Sequence, residues 1–530
     1  MTELEGTHPL PVNDGSKGKF IFKVMNMQKK NILLTFFAFM LVLSFTATAA
    51  EKDYAPDVKM YRLTNGLLLM VVERHDAPTI FCYRYQKVGS ANEWPGMTGS
   101  AHLLEHMMFK GTKKIGTYNY KAEEPIMKEI EKIYDEIDAE RAKALTAYEK
   151  PDMEKVRRLR ERATELLNEQ REYIRKNEFD FICDILGAQN SNASTGFDGT
   201  DYYMAIPSNK LEAWAFIESD RLSDPVMREF YSERDVVYEE RRMHANSPEG
   251  AMFETFIENM FVTMPYGHEI VGWASDIESL RSNEVAALFK KYYAPNNTII
   301  VLVGDVKDKE ALTIIKKYFE PIPRQKDPKP IFSTEPPQKG ERRVKLEFDA
   351  SPQIWIGYHG PKPGEQDQYV LDAISYILST GRTGRFYRNI VKKNIAFKCD
   401  GSQWSLGYVN LFPIVAYPKE PNTTEDLEKA IYTELDRLKT EPVTDMEMEK
   451  VCNMVDKTYI DAVSENSRLA MSLAWYQAWT GDWRNMDYRE KIKAVTKDDI
   501  LRVAKRYFTE SNRTVVTLVP TKKEEKNMEE

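Results

Sequence analysis

The chain of 530 residues carries 74 Lys and Arg against 82 Asp and Glu, a net charge of -8, with 42% hydrophobic and 29% charged residues. That length can build two or more large cores, the composition is that of a folded globular protein, and the acidic balance argues against nucleic acid as a partner. Cys82, Cys183, Cys399 and Cys452 are too scattered for a disulfide framework or a cysteine metal site, and buried thiols are expected.

Residues 1–26 show no periodicity. Met27-Gln28-Lys29-Lys30, the apolar run from Ile32 to Phe45 and the small residues Ala47-Thr48-Ala49 have the pattern of a cleaved secretory signal peptide. This places the natural start at Met27 and the mature N-terminus near Ala50 or Glu51. Further on, Tyr61-Arg62-Leu63 turns at Asn65-Gly66 into Leu67 to Val72, the pattern of paired strands.

The most specific chemistry follows at His102-Leu103-Leu104-Glu105-His106, between Gly99-Ser100-Ala101 and Gly111. These flanks predict a short helix. His102 and His106, four positions apart on one helical face, can reach a single metal ion, and Glu105 precedes the second of them as the candidate general base. The order H-x-x-E-H is the inverse of the commoner H-E-x-x-H zinc motif.

With its following Met-Met-Phe-Lys-Gly-Thr, this segment resembles the insulysin, pitrilysin and mitochondrial processing peptidase family. The resemblance covers roughly Val58 to Pro520 and implies one Zn2+ per chain, an α+β fold of two homologous tandem domains forming half of a clamshell, and endopeptidase activity on unfolded peptides. It also implies a third ligand, Glu240, and an accessory acid, Glu233, in Glu233-Arg234-Asp235-Val236-Val237-Tyr238-Glu239-Glu240. Independently of the family, residues seven apart lie close to two helical turns from one another, so Glu233 and Glu240 share a face. Glu239 competes as a ligand but points about 100° away from Glu240.

Between the motif and these acids, residues 121–179 read as a charged helical arm inserted in the first domain. Ile126, Ile130, Ile133 and Ile137 mark one helix, Lys150-Pro151-Asp152 a break, and Leu159, Leu166 and Leu167 a return helix. Asn192-Ala193-Ser194-Thr195 resembles the family's substrate-binding edge strand, which makes Asn192 and Ala193 candidate substrate contacts. A Ser/Asn-rich turn before Tyr202 and Tyr203 is the alternative. His268 is read as structural, and His75, His244 and His359 lack metal spacing.

Six prolines between 321 and 337 mark an extended linker. The run Lys291 to Val303 recurs as Arg506 to Val519, with Asn296 matched to Asn512, 216 positions on. The expected organisation is an N-terminal extension and signal peptide (1–49), a zinc-binding domain (50–322), a linker (323–340), a homologous inactive domain (341–520) and a charged tail (521–530).

In the family the second domain supplies an arginine and a tyrosine to the substrate carbonyl. At those places this chain has Val391 and Phe397, which cannot donate a hydrogen bond. A homologous partner subunit carrying the pair is therefore expected, forming a heterodimer, with a homodimer as second choice. The signal peptide together with the resemblance points to a bacterial periplasm. The alternative function is a metal-binding but non-catalytic assembly or adaptor subunit.

Overall fold

Runs of β-branched and aliphatic residues bounded by turns form two six-stranded sheets, each with helices on both faces. A computed structural model of the chain describes residues 55–145 and 147–521, so the signal peptide expected at 27–49 lies outside the described residues.

The first half opens with β1 (Val58–Arg62), β2 (Leu68–Glu73), β3 (Thr79–Gln86) and the motif helix α1 (Ser100–Met107). Helices α2 (Tyr120–Lys143), α3 (Met153–Arg171) and α4 (Glu178–Leu186) lead to β4 (Gln189–Thr195) and β5 (Thr200–Pro207). Then come α5 (Leu211–Ser223), α6 (Phe230–Ala245), α7 (Pro248–Met260), α8 (Ala274–Ser279), α9 (Ser282–Tyr292), β6 (Thr298–Gly304) and α10 (Asp308–Phe319). Residues 321–340 run without regular structure to the second half.

That half contains β7 (Arg342–Phe348), β8 (Gln353–His359), α11 (Gln366–Ser379), β9 (Ala396–Gly401), β10 (Trp404–Ser405) and β11 (Asn410–Pro418). It closes with α12 (Thr424–Thr440), α13 (Asp445–Ser464), α14 (Asn466–Thr480), α15 (Arg489–Lys493), α16 (Lys497–Tyr507) and β12 (Arg513–Pro520).

The sheets share one plan. In the first, ordered β1-β2-β6-β3-β5-β4, β6 runs parallel to β2 and antiparallel to β3. In the second, ordered β10-β11-β8-β12-β7 with β9 also on β11, β12 stands in the same relation to β7 and β8. The repeat has a physical signature at its turns, and it corrects the expected register. Asn297 Nδ2 donates to the carbonyls of Tyr292 (2.9 Å) and Lys87 (3.1 Å), and Asn512 Nδ2 donates to those of Tyr507 (2.9 Å) and His359 (2.8 Å). Asn297, not Asn296, is thus the counterpart of Asn512, because only its amide ties the end of a helix to the end of a strand.

Each sheet is apolar on both faces, so each needs two covers. Leu69, Val71, Cys82 and Leu302 pack under the helices of their own half. On the opposite face Met70, Tyr83 and Val301 pack against Leu469, Leu473 and Ala474 of α14, a helix of the second half. The loan is reciprocal: Met252, Phe256 and Met260 of α7 cover Trp355, Val516 and Leu518 of the second sheet. Cys82, Cys183 and Cys399 are buried thiols as expected, but Cys452 is only half-buried, because it sits beside rather than on the inward face of α13.

The arm is an antiparallel pair, α2 and α3, whose inward stripe buries Ile126, Ile130, Ile133, Ile137, Val156 and Leu166 in the first core.

Candidate active site

Helix α1 starts where it does because its first turn is held by a buried acid. Gly99, at φ 83°, precedes it, and a Cβ there would lie 2.2 Å from the carbonyl oxygen of Val271, so only glycine fits. The Glu93 carboxylate accepts hydrogen bonds from the backbone N–H groups of Gly99 (2.9 Å) and Ala101 (2.6 Å), which the helix leaves without partners.

Burial pushes the Glu93 carboxyl up to about 8 against the pull of these amides. Between its ordinary 4.5 and about 8 the folded state therefore holds a proton that the unfolded chain has lost, and stability falls as pH rises through that window. Glu93→Gln, neutral throughout, is expected to flatten the fall in melting temperature over this range; an unchanged slope would show that other groups set it.

On α1, the His102 and His106 rings lie 4.8 Å apart at 79°. Helix α6 faces them with Glu240, whose Oε2 is 3.7 Å from Nε2 of each histidine. All three donor atoms fall within 4.8 Å of one another. Zinc bonds of about 2.0–2.1 Å in a tetrahedron set ligand atoms about 3.4 Å apart, so the two 3.7 Å separations approach that spacing, and the donor set is that of a zinc site.

Its charge also fits. Burial alone would favour neutral His106, but hydrogen bonding to Glu233 and the charges of Glu240 and Glu105 outweigh it and raise its pKa. A centre this negative suits a divalent cation. Burial, with the neighbouring His106, holds His102 down at about 4, in the neutral form a ligand needs.

Glu233 lies one step back. Its Oε2 is 3.4 Å from Nδ1 of His106 and its Oε1 is 2.5 Å from Lys110 Nζ. Burial opposes its ionised form, yet His106 and Lys110 hold its pKa below the ordinary value. Glu239 points elsewhere and pairs with Arg242 on the exposed face of α6. Glu105 is 8% exposed and burial raises its pKa, while Thr195 Oγ1 donates to its Oε2 at 2.6 Å.

Thr195 ends β4, the free edge of the first sheet, so the segment quoted from the sequence is a strand rather than a turn. Asn192 is exposed on that strand and Ala193 is buried toward α1. Thr195 closes the segment quoted from the sequence but was given no role there, although it lies two positions past Ala193 and so on the same strand face.

His268 is buried, with Nδ1 3.0 Å from the Glu269 carbonyl, and His244 meets Glu269 at 2.9 Å. In the second half Val391 rests against the core, and Phe397 is 68% exposed on β9.

Behind α1, Arg228 fastens the loop that follows it. The buried guanidinium donates to the carbonyls of Lys110 (2.5 Å), Thr112 (3.0 Å) and Ile115 (3.3 Å), and to both oxygens of Glu123 on the arm, at 2.7 and 3.1 Å. The arm also meets α6 directly, where Tyr134 stacks on Tyr231 at 3.5 Å.

An H-x-x-E-H helix facing a second helix with a glutamate, at the free edge of a helix-covered sheet, is the framework of the inverted zinc-binding peptidases. Residues 71–150 match the family model described as "Insulinase (Peptidase family M16)", and residues 279–455 match "Peptidase M16 inactive domain". Both models describe the M16 peptidase family, and over those residues the chain is similar to it.

A zinc protease, PqqE, from Helicobacter pylori is 27% identical over 490 residues, covering 91% of this chain and 97% of the relative. A probable mitochondrial-processing peptidase beta subunit from Arabidopsis thaliana is 22% identical, over 88% of this chain and 79% of that one. The crystal structure of a protease from Helicobacter pylori superposes with a TM-score of 0.73 at 27% identity, over 88% of this chain and all of that one. The periplasmic protease PqqL from Escherichia coli gives 0.65 at 15% identity, and there the match covers 88% of this chain but 48% of that chain.

Proposed function

We propose that this chain is a zinc-dependent endopeptidase that hydrolyses unfolded peptides, acting as the zinc-bearing subunit of a dimer. The observation that carries the reading is the convergence of His102, His106 and Glu240 beside a shielded Glu105 at a free sheet edge. Those three residues would hold one Zn2+. When bound, zinc lowers the pKa of water and polarises a peptide carbonyl.

Glu105 takes the proton of the attacking water and returns it to the leaving amine. Its raised pKa brings it closer to neutral pH, where one carboxyl can serve both as base and as acid. Thr195 holds one oxygen of that carboxyl and so sets its direction. Glu233 accepts from Nδ1 of His106 and turns Nε2 toward Glu240. The unpaired backbone of β4, with Asn192 and Ala193, can take an extended peptide as an added strand, which demands an unfolded substrate but little sequence.

Val391 and Phe397 offer no donor to the developing oxyanion. Loss of such a donor costs about 100- to 1000-fold in turnover, so the reading includes a partner that supplies it, a homologous subunit first and a second copy next. The relative named as a subunit, and the match to about half of the PqqL chain, support pairing. Export to a bacterial periplasm belongs to the same proposal and rests on residues 27–49.

The second reading, a metal-binding assembly subunit without turnover, draws on the same two side chains. The test uses the full chain purified with its native partners. One zinc per chain, and peptide hydrolysis lost on chelation and restored by zinc, are expected; zinc without turnover in the complete assembly would favour the second reading.

A further inference from the structure

The sheet face that α14 covers carries a cavity of about 580 Å³, between β3, β5 and β4 on one side and α14 on the other, and Thr195, which holds Glu105, lies at its margin. Strand register sets its floor. Tyr85, Asp201 and Ser194 form one row across three strands, and Tyr83, Tyr203 and Asn192 form the next. Both rows end at the free edge of β4. A peptide strand added along that edge, about 4.8 Å beyond β4, would continue the rows with its own side chains.

The walls are aromatic. Tyr203, Tyr83 and Tyr85 make a stacked ladder with neighbouring centroids 6.4 Å apart, and Trp475 and Tyr476 of α14 close the far side. Among the described residues two carboxylates line the space, and no Lys, Arg or His does. Asp198 is already satisfied by the Tyr266 hydroxyl (2.6 Å) and the Gly407 N–H (2.8 Å).

Asp201 has one side-chain partner, Ser194 Oγ at 2.7 Å, and burial pushes its carboxyl up to about 6. An apolar occupant would leave that carboxylate desolvated without a counter-charge, and an acidic one would add repulsion. A guanidinium or ammonium group would meet the ring faces and pair with Asp201. Building on the peptidase reading, we propose that this cavity is a specificity pocket for a cationic side chain, Lys or Arg, of the peptide laid along β4.

The test uses the full zinc-loaded chain carrying Glu105→Gln, which allows binding without turnover. Fluorescence anisotropy compares extended peptides identical except for one position, either Lys or norleucine, walked along the sequence. In one register Lys is expected to bind about tenfold more tightly than norleucine, the scale of a desolvated charge-paired cation–π contact.

Asp201→Asn should bring the two affinities together. Trp475→Leu, which leaves β5 untouched, should narrow the gap as well. Equal affinities in every register, a ratio that survives Asp201→Asn, or no peptide binding at all would each overturn the pocket. Hydrolysis by wild type purified with its native partners separates the two readings. Cleavage of both peptides at equal rates would remove the pocket and leave the peptidase; a Lys preference in binding without cleavage of either peptide would do the reverse.

Discussion

Glu105→Gln is expected to lower peptide hydrolysis by about 100- to 10,000-fold, the usual contribution of a positioned general base, while leaving bound zinc at the wild-type level. Metal should stay because the three converging donor atoms belong to His102, His106 and Glu240. The fold should stay because Gln has the shape of Glu and its amide oxygen can still accept from Thr195, which lies 2.6 Å away. What is lost is the basic oxygen that burial had brought toward neutral pH. Steady-state kinetics with metal analysis of both proteins decides the matter. Activity above about a tenth of wild type, far outside the range for a lost base, would assign proton transfer to another group.

Glu123→Ala is expected to destabilise the chain by about 3–5 kcal/mol, the cost of stranding a buried charge without its partner. Arg228 and Glu123 are 1% and 0% exposed, and the guanidinium cannot turn to water without releasing the carbonyls of Lys110, Thr112 and Ile115. Because that loop leads out of α1, zinc affinity should fall along with stability. The exposed arm pair Lys128–Glu124 is the control, with Lys128→Ala expected to cost about 0–1 kcal/mol. Urea denaturation of the three proteins tests this, and equal midpoints for Glu123→Ala and Lys128→Ala would show that the arm is not a structural brace for the site.

Both predictions turn on how differently the two features were written in the chain. His102, Glu105 and His106 are legible because a helix converts spacings of three and four into one face. The same rule puts Glu233 and Glu240 together two turns apart, while choosing Glu240 over Glu239 needed both the angle and the family resemblance. Thr195 was within reach of the alternation along β4. By contrast, Glu93, Arg228 and Asp201 have no local signature: each is one polar residue among many, and its role arises from partners far along the chain or across a sheet.

The amino-acid sequence by itself determined the donor set of the candidate metal site, the presence of a repeated α+β unit and the inserted charged arm, since each is written as short-range periodicity or as similarity between segments. The tertiary structure alone decided the matching of Asn297 with Asn512, the exchange of α7 and α14 between the sheets, the bracing of α1 by the arm, and the aromatic cavity behind the edge strand. Those features depend on which distant surfaces meet, and apolar faces carry no label for their partner: Met70 and Met252 are equally buried, one under a helix from the other half and the other against the other half's sheet.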